Sequence, residues 1–257
     1  MAECVVNGVP CEYRISKRAP AQGPVVLCVH GSGGDGVVWS YQVSRLSRQY
    51  RVIVPDLPGH GRSAGALSYT VEAYAAWLDS FRATLGFDRC VLMGHSLGGA
   101  VVQQYARTFP DRVTALVLVG TGCRFVLSRQ YLEELQIPPG NESDPQVLQR
   151  AHELLARLYV SDFASLAKNG IETLHADIVA AGRFDSTAWI GQLQVPTLVV
   201  AGEYDLIMPR ARLQDLADRL SQSRLETVSA TGHAVMTDNP RGFNAVVQPF
   251  LDQVCYG

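Results

Sequence analysis

Cys90-Val91-Leu92-Met93-Gly94-His95-Ser96-Leu97-Gly98-Gly99-Ala100 is the stretch that decides how this chain is read. Residues 90–94 are apolar and suit a buried strand, whereas residues 98–109 have the spacing of a helix. Gly94, Ser96 and Gly98 stand where one gives way to the other, in the pattern G-x-S-x-G. A strand that turns sharply into a helix leaves no space for side chains two residues either side of the serine. Glycine fits there and tolerates strained dihedrals. Such a turn lifts the Ser96 hydroxyl above the carboxyl end of the strand, at a helix N-terminus that favours developing negative charge.

Working outward, further short apolar runs occupy residues 24–30, 51–54, 114–120 and 195–202, with a weaker, more alternating run at 224–230. Near-continuous runs rich in β-branched residues suit strands covered on both faces, as in a parallel sheet. Helical patterns separate them at 71–85, 98–109, 210–220 and 243–254. Strand and helix in alternation predict an α/β fold with right-handed crossovers. Residues 4–6 and 13–16, around Asn7-Gly8, predict a leading antiparallel hairpin. Residues 121–193 break the rhythm: they hold no strand pattern but helical ones at 128–135, 146–159, 163–167 and 171–181, punctuated by Pro138-Pro139-Gly140. They read as a helical insertion over one end of the sheet, in a core formed by residues 1–120 and 194–257.

The loops after the strand-like runs supply the chemistry that a serine needs. A hydroxyl is a poor nucleophile until a base takes its proton. His233, in Thr231-Gly232-His233, follows the last run, and an imidazole does this near neutral pH. Asp205, in Gly202-Glu203-Tyr204-Asp205, follows the run before it; a carboxylate there fixes the tautomer and steadies the imidazolium. The chain order Ser96, Asp205, His233 differs from both protease arrangements. His30-Gly31-Ser32-Gly33-Gly34 is flexible enough to bring a backbone N–H close to a bound oxygen, so the N–H groups of Ser32 and Leu97 are the expected oxyanion hole. The Walker pattern is absent, and so is G-x-G-x-x-G with a following ribose acid.

Together these residues resemble the α/β-hydrolase superfamily over essentially the whole chain. Asp56-Leu57-Pro58-Gly59-His60-Gly61-Arg62-Ser63 is similar to its D-x-x-G-x-G-x-S loop and, with the His-Gly loop, the elbow, Gly-x-x-Asp and Gly-His, makes five motifs in the family's order. The resemblance implies a mostly parallel sheet of about eight strands with a helical cap inserted after strand six. Epoxide hydrolases and haloalkane dehalogenases place an Asp at the elbow, so Ser96 argues against both. Some members carry the acid after strand six, where this chain reads Gly120-Thr121-Gly122-Cys123 without a carboxylate. The expectation is a serine hydrolase of the capped branch, cleaving a carboxylic ester with no metal or organic cofactor. Thioester, lactone and C–C hydrolases and perhydrolases share these parts, as do receptor-like members that bind a ligand with little turnover.

Other candidates are weaker. Glu203 sits too close to the strand end to serve as the acid. His30 and His60 are expected to hold their loops, His95 to point into packing, and His152 and His175 to be surface or packing residues. Cys123, Trp39, Tyr131, Trp189, Met208 and Val235 either line an acyl pocket or belong to the core. The 257 residues are 47% apolar and 18% charged, with a formal net charge of −2. Those proportions suit a globular chain with no basic footprint for nucleic acid or an anionic membrane. A small-molecule acyl substrate and a monomer or homodimer are the expected partners. None of the six cysteines forms Cys-x-x-Cys, and Cys28 and Cys90 read as small buried hydrophobes. With no secretory signal in residues 1–10, reduced thiols and a cytoplasmic location are expected.

Overall fold

The computed structural model describes residues 1–137, 140–158 and 167–257. Eight strands form one sheet in the order β1-β2-β4-β3-β5-β6-β7-β8. They are β1 (Ala2–Val6), β2 (Val9–Ile15), β3 (Val25–Val29), β4 (Arg51–Pro55), β5 (Cys90–His95), β6 (Val113–Val119), β7 (Thr197–Gly202) and β8 (Ser223–Val228). The predicted hairpin is β1–β2, turning at Asn7 (φ +50°) and Gly8 (φ +81°), and β2 pairs antiparallel with β4. From β4 to β8 every pairing is parallel. The carboxyl ends of β3 to β8 therefore share one edge, where ligands of open α/β sheets bind.

Both faces of the sheet are covered, which explains the unbroken apolar runs. Leu27, Leu92, Leu116 and Val199 face one core and Cys28, Met93, Val117 and Val200 the other, following the two-residue period of a strand. The first core packs against α2 (Val71–Thr84) and α3 (Leu97–Thr108), through Tyr74, Leu78, Val101 and Tyr105. The second packs against α1 (Ser40–Leu46) and the C-terminal helix (Pro240–Tyr256), through Leu46, Phe243, Val247 and Leu251. Fully burying one such Leu or Phe contributes about 1.5–3 kcal/mol. Cys28 and Cys90 are 0% and 2% exposed, and all six cysteines are free thiols.

Helices α4 (Val126–Leu135), α5 (Pro145–Leu158) and α6 (Ile171–Arg183) lie between β6 and β7. They share a small core of their own that includes Tyr131, Leu155, Leu174 and Ile178. Ala180 and Ala181 of α6 join the first sheet core instead, so the segment is also rooted in the sheet. The patterned stretch 163–167 lies outside the described residues except for Ala167, as do Pro138, Pro139 and Tyr159.

Several elements differ from the expectation, α1 and the C-terminal helix among them. Helix α1 went unpredicted in the stretch after the glycine-rich loop, because its short length buries only Gln42 and Leu46 and gives no full period. It follows a 3₁₀ turn, Gly36–Trp39, capped by Asp35, whose carboxylate accepts from the Val37 N–H at 2.7 Å. The C-terminal helix starts at Pro240, earlier than expected at 243, because Asn239 caps it by accepting from the Gly242 N–H at 2.9 Å. Among the described residues no helix is long and apolar enough to cross a membrane.

Candidate active site

Ser96 sits between β5 and α3 with φ +52° and ψ −120°. A non-glycine residue held there stores about 1–3 kcal/mol of strain, which persists only where the surroundings over-determine it. They do so here. A Cβ added at Gly94 would stand 2.3 Å from the Gly98 carbonyl oxygen, and one at Gly98 would stand 2.4 Å from the Val29 carbonyl oxygen. The glycines of the motif are thus fixed by backbone pressing on backbone. Ser96 is the N-cap of α3, yet its hydroxyl makes no capping bond. The next residue, Leu97, opens the helix, and a helix's first amides have no intrahelical acceptor.

The loop after β3 runs against this elbow. A Cβ at Gly31 would lie 3.0 Å from the Ser96 Cβ and 2.9 Å from the His95 Nδ1, so only glycine permits the approach. The N–H of Ser32 follows in the next peptide, and Ser32 is half-buried. His30 is buried. Its Nδ1 lies 3.0 Å from the Gly31 carbonyl and its Nε2 accepts from the Leu57 N–H at 3.1 Å. Donor on one nitrogen and acceptor on the other, the ring is neutral; burial, with the His60 charge beside it, lowers its pKa to about 4. His30 therefore ties the two family loops together, as expected of a loop-holding residue.

Asp205 and His233 meet at the carboxyl ends of β7 and β8. The Nδ1 of His233 lies 2.8 Å from the Asp205 Oδ2, with the carboxylate side chain fully buried and the imidazole 18% exposed. The other oxygen of Asp205 accepts from the N–H groups of Ile207 at 3.0 Å and Met208 at 2.8 Å. The bond to the carboxylate places the proton on Nδ1 and leaves the Nε2 lone pair available. Gly202 allows the two loops to touch, since a Cβ there would stand 2.0 Å from the Gly232 carbonyl oxygen. Glu203 is exposed and accepts from the Ala230 N–H at 2.8 Å instead.

His95 joins His233 to the strand that leads into Ser96. Its Nε2 donates to the His233 carbonyl at 2.9 Å, and the two rings lie 4.8 Å apart. Burial, reinforced by the neighbouring His233, lowers the His95 pKa to about 3, so it stays an uncharged support. Sequence reasoning placed it in packing and missed this bond.

The pocket candidates separate. Trp39 and Val235 are fully buried in the second sheet core, and Tyr131 is buried in the helical segment with its hydroxyl bonded to the His175 Nδ1. Those three are core. Trp189 lines a cavity of about 430 Å³ with Arg89, Arg107 and Pro196, at the amino ends of β6 and β7. That cavity lies at the opposite end of the sheet from Ser96, so Trp189 is far from the elbow. Met208 and Cys123 are buried near the start of the helical segment. His175 is buried and His152 exposed. Among the described residues, no group of three or more His, Cys, Asp or Glu is arranged to hold a metal ion.

A family model described as the alpha/beta hydrolase fold matches residues 24–157 and 142–240. Among curated relatives, the putative carbamate hydrolase RutD of Stutzerimonas stutzeri is 27% identical, over 95% of this chain and 97% of its own. The pimeloyl-[acyl-carrier protein] methyl ester esterase of Aeromonas hydrophila is 28% identical, over 90% and 96%. Among solved structures, a hydrolase from Pseudomonas aeruginosa superposes with a TM-score of 0.79 at 26% identity, covering 97% of each chain. The eight-stranded sheet, the strained serine between β5 and α3 and the match along most of the sequence lead to one assignment: this chain belongs to the α/β-hydrolase fold family.

Proposed function

We propose that the protein is a serine hydrolase that cleaves a carboxylic ester through an acyl-enzyme on Ser96, with residues 121–193 serving as its cap. His233 is the base, Asp205 the acid that orients it, and the N–H groups of Leu97 and Ser32 the oxyanion donors. The observation that carries this reading is the 2.8 Å bond between Asp205 and the His233 Nδ1, because it leaves Nε2 as the proton acceptor.

In this mechanism the Ser96 oxygen attacks the carbonyl carbon while its proton passes to the His233 Nε2. The carbonyl oxygen becomes an anion held by the two amides. Removing one donor of this kind typically costs about 2.7–4 kcal/mol of transition-state stabilisation. Collapse breaks the bond to the alcohol, which leaves with the proton from His233. Water then attacks the acyl-enzyme and gives a proton to His233, and the acid departs as Ser96 recovers that proton.

The test is a series of p-nitrophenyl esters of increasing acyl length. The expected result is a rapid release of p-nitrophenolate equivalent to the enzyme present, followed by a slower steady rate, with an optimum chain length that sizes the pocket. No release above that of Ser96→Ala for any ester would overturn the ester reading. Carbamates, lactones and thioesters belong in the same panel, because relatives with similar chains carry names of different hydrolases.

A further inference from the structure

Asp177 lies on α6, outside the sheet, and is completely buried. Its Oδ2 accepts from the Gly33 N–H at 2.7 Å and lies 2.8 Å from the His60 Nε2, and its Oδ1 accepts from the Tyr74 hydroxyl at 2.7 Å. The His60 Nδ1 is 3.0 Å from the Pro58 carbonyl. Both ring nitrogens of His60 therefore face acceptors, which requires a proton on each. Burial works against that charge, but the Asp177 carboxylate and the two hydrogen bonds outweigh it and raise the His60 pKa. Burial likewise opposes ionisation of Asp177, and the His60 charge, with the three donors, overcomes it and lowers its pKa. A buried carboxylate with an imidazolium, a phenol and an amide as partners is an expensive arrangement for simple adhesion between elements.

What it holds is the loop beside the nucleophile. Asn169, just before α6, grips the same loop as well. Its Nδ2 donates to the Gly33 carbonyl at 2.9 Å and the Gly34 carbonyl at 2.6 Å, while its Oδ1 accepts from the Gly61 N–H at 3.1 Å. Gly33 has φ +64°, and a glycine in such a loop swings freely unless its peptides are tied. Here its N–H and its carbonyl are both tied, and both ties come from residues 169–177. The Ser32 N–H is one peptide away.

We propose that Asp177 and Asn169 are positioning residues for the oxyanion loop, so that the second oxyanion donor is set jointly by the sheet and by the segment that crosses it. The proposal rests on the serine-hydrolase reading. A donor displaced by about 1 Å costs on the order of 10²-fold in rate, which separates a positioning role from plain stability.

The experiment compares Asp177→Ala, Asp177→Asn, Asn169→Ala and Ser186→Ala with the wild-type protein. Kinetics use the best p-nitrophenyl ester and a trifluoromethyl ketone, which adds to Ser96 and puts an oxyanion in the hole. Ser186 is the stability control: its buried hydroxyl donates to the Gln103 Oε1 at 2.9 Å and joins the segment to α3, not to the oxyanion loop. Asp177→Ala and Asn169→Ala are each expected to lower kcat by about 10- to 100-fold with KM within about threefold, and to weaken the ketone by a similar factor. Asp177→Asn keeps a carbonyl for Gly33 and is expected within about fivefold of wild type, while Ser186→Ala lowers Tm and leaves kcat unchanged. Asn169 is half-buried, so its alanine variant decides the matter if Asp177→Ala does not fold. The proposal fails if kcat and ketone affinity stay within threefold in the folded alanine variants of residues 177 and 169, or if Ser186→Ala loses them to the same degree for a comparable drop in Tm. Wild-type protein no more active than Ser96→Ala would instead sink the serine-hydrolase reading, and this proposal with it.

Discussion

Ser96→Ala is expected to lower kcat on a p-nitrophenyl ester by about 10⁴- to 10⁶-fold, the loss seen when a nucleophile that works as part of a unit is removed. The fold should not suffer. The hydroxyl caps nothing, and alanine inherits the same φ of +52° at no greater cost than serine. A thermal melt alongside the kinetics checks both halves: an unchanged Tm with no turnover is the expected pair. Ser96→Gly should be equally inactive yet more stable, by about 1–3 kcal/mol, because glycine accepts the dihedral that serine endures. Stability gained as activity is lost would identify the strain at this position as the cost of holding a reactive group in place. If Ser96→Ala retained a tenth of the activity, the nucleophile would have to be sought elsewhere.

Asp205→Asn is expected to cost about 10³- to 10⁴-fold in kcat without moving the backbone. The reason is specific to this site. The N–H groups of Ile207 and Met208 both point at one oxygen of residue 205, so an asparagine must give its carbonyl to them. Its NH₂ then occupies the place of Oδ2, facing the His233 Nδ1. Two donors cannot share that bond, so the imidazole must carry its proton on Nε2, which blocks the proposed transfer from Ser96. Steady-state kinetics at neutral pH provide the measurement. A loss smaller than tenfold would mean that Asp205 does not orient the base, and a large drop in Tm would mean that the effect is structural.

The architecture was legible because it is local. The apolar runs that became β3 to β8, the glycines about Ser96 and the loop-end positions of Asp205 and His233 depend on residues close in sequence. Helix α1 was hidden because seven residues with two buried positions present no period. The loop supports were hidden for a different reason. Asp177 bonds to residues 144, 117 and 103 positions away, and no spacing rule anticipates such partners. A signal did exist, since Asp177 is a single carboxylate within the apolar stretch Leu174-His175-Ala176-Asp177-Ile178-Val179-Ala180-Ala181. An acid on the buried side of a helix needs donors, and that alone marks it for scrutiny. The lining of a substrate pocket was illegible because aromatic residues that fill a core and those that line a cavity look the same in a linear chain; Trp39 and Trp189 illustrate this.

The thiols buried between sheet and helices provide a clock for the opening of the protein. Cys28 and Cys90 sit on adjacent central strands, and burial raises both pKa values, that of Cys90 to about 12. Near neutral pH neither presents a thiolate, and neither can be reached by an alkylating reagent until the helices covering its face of the sheet lift away. Their labelling rate therefore reports how often the sheet comes open, and for a domain of ordinary stability it should be at least about 10³-fold slower than in the unfolded chain. Cys4 and Cys255, both half-buried, should react before them. Mass spectrometry of a timed alkylation would separate the two events, so the native cysteines record local and global opening without any introduced probe.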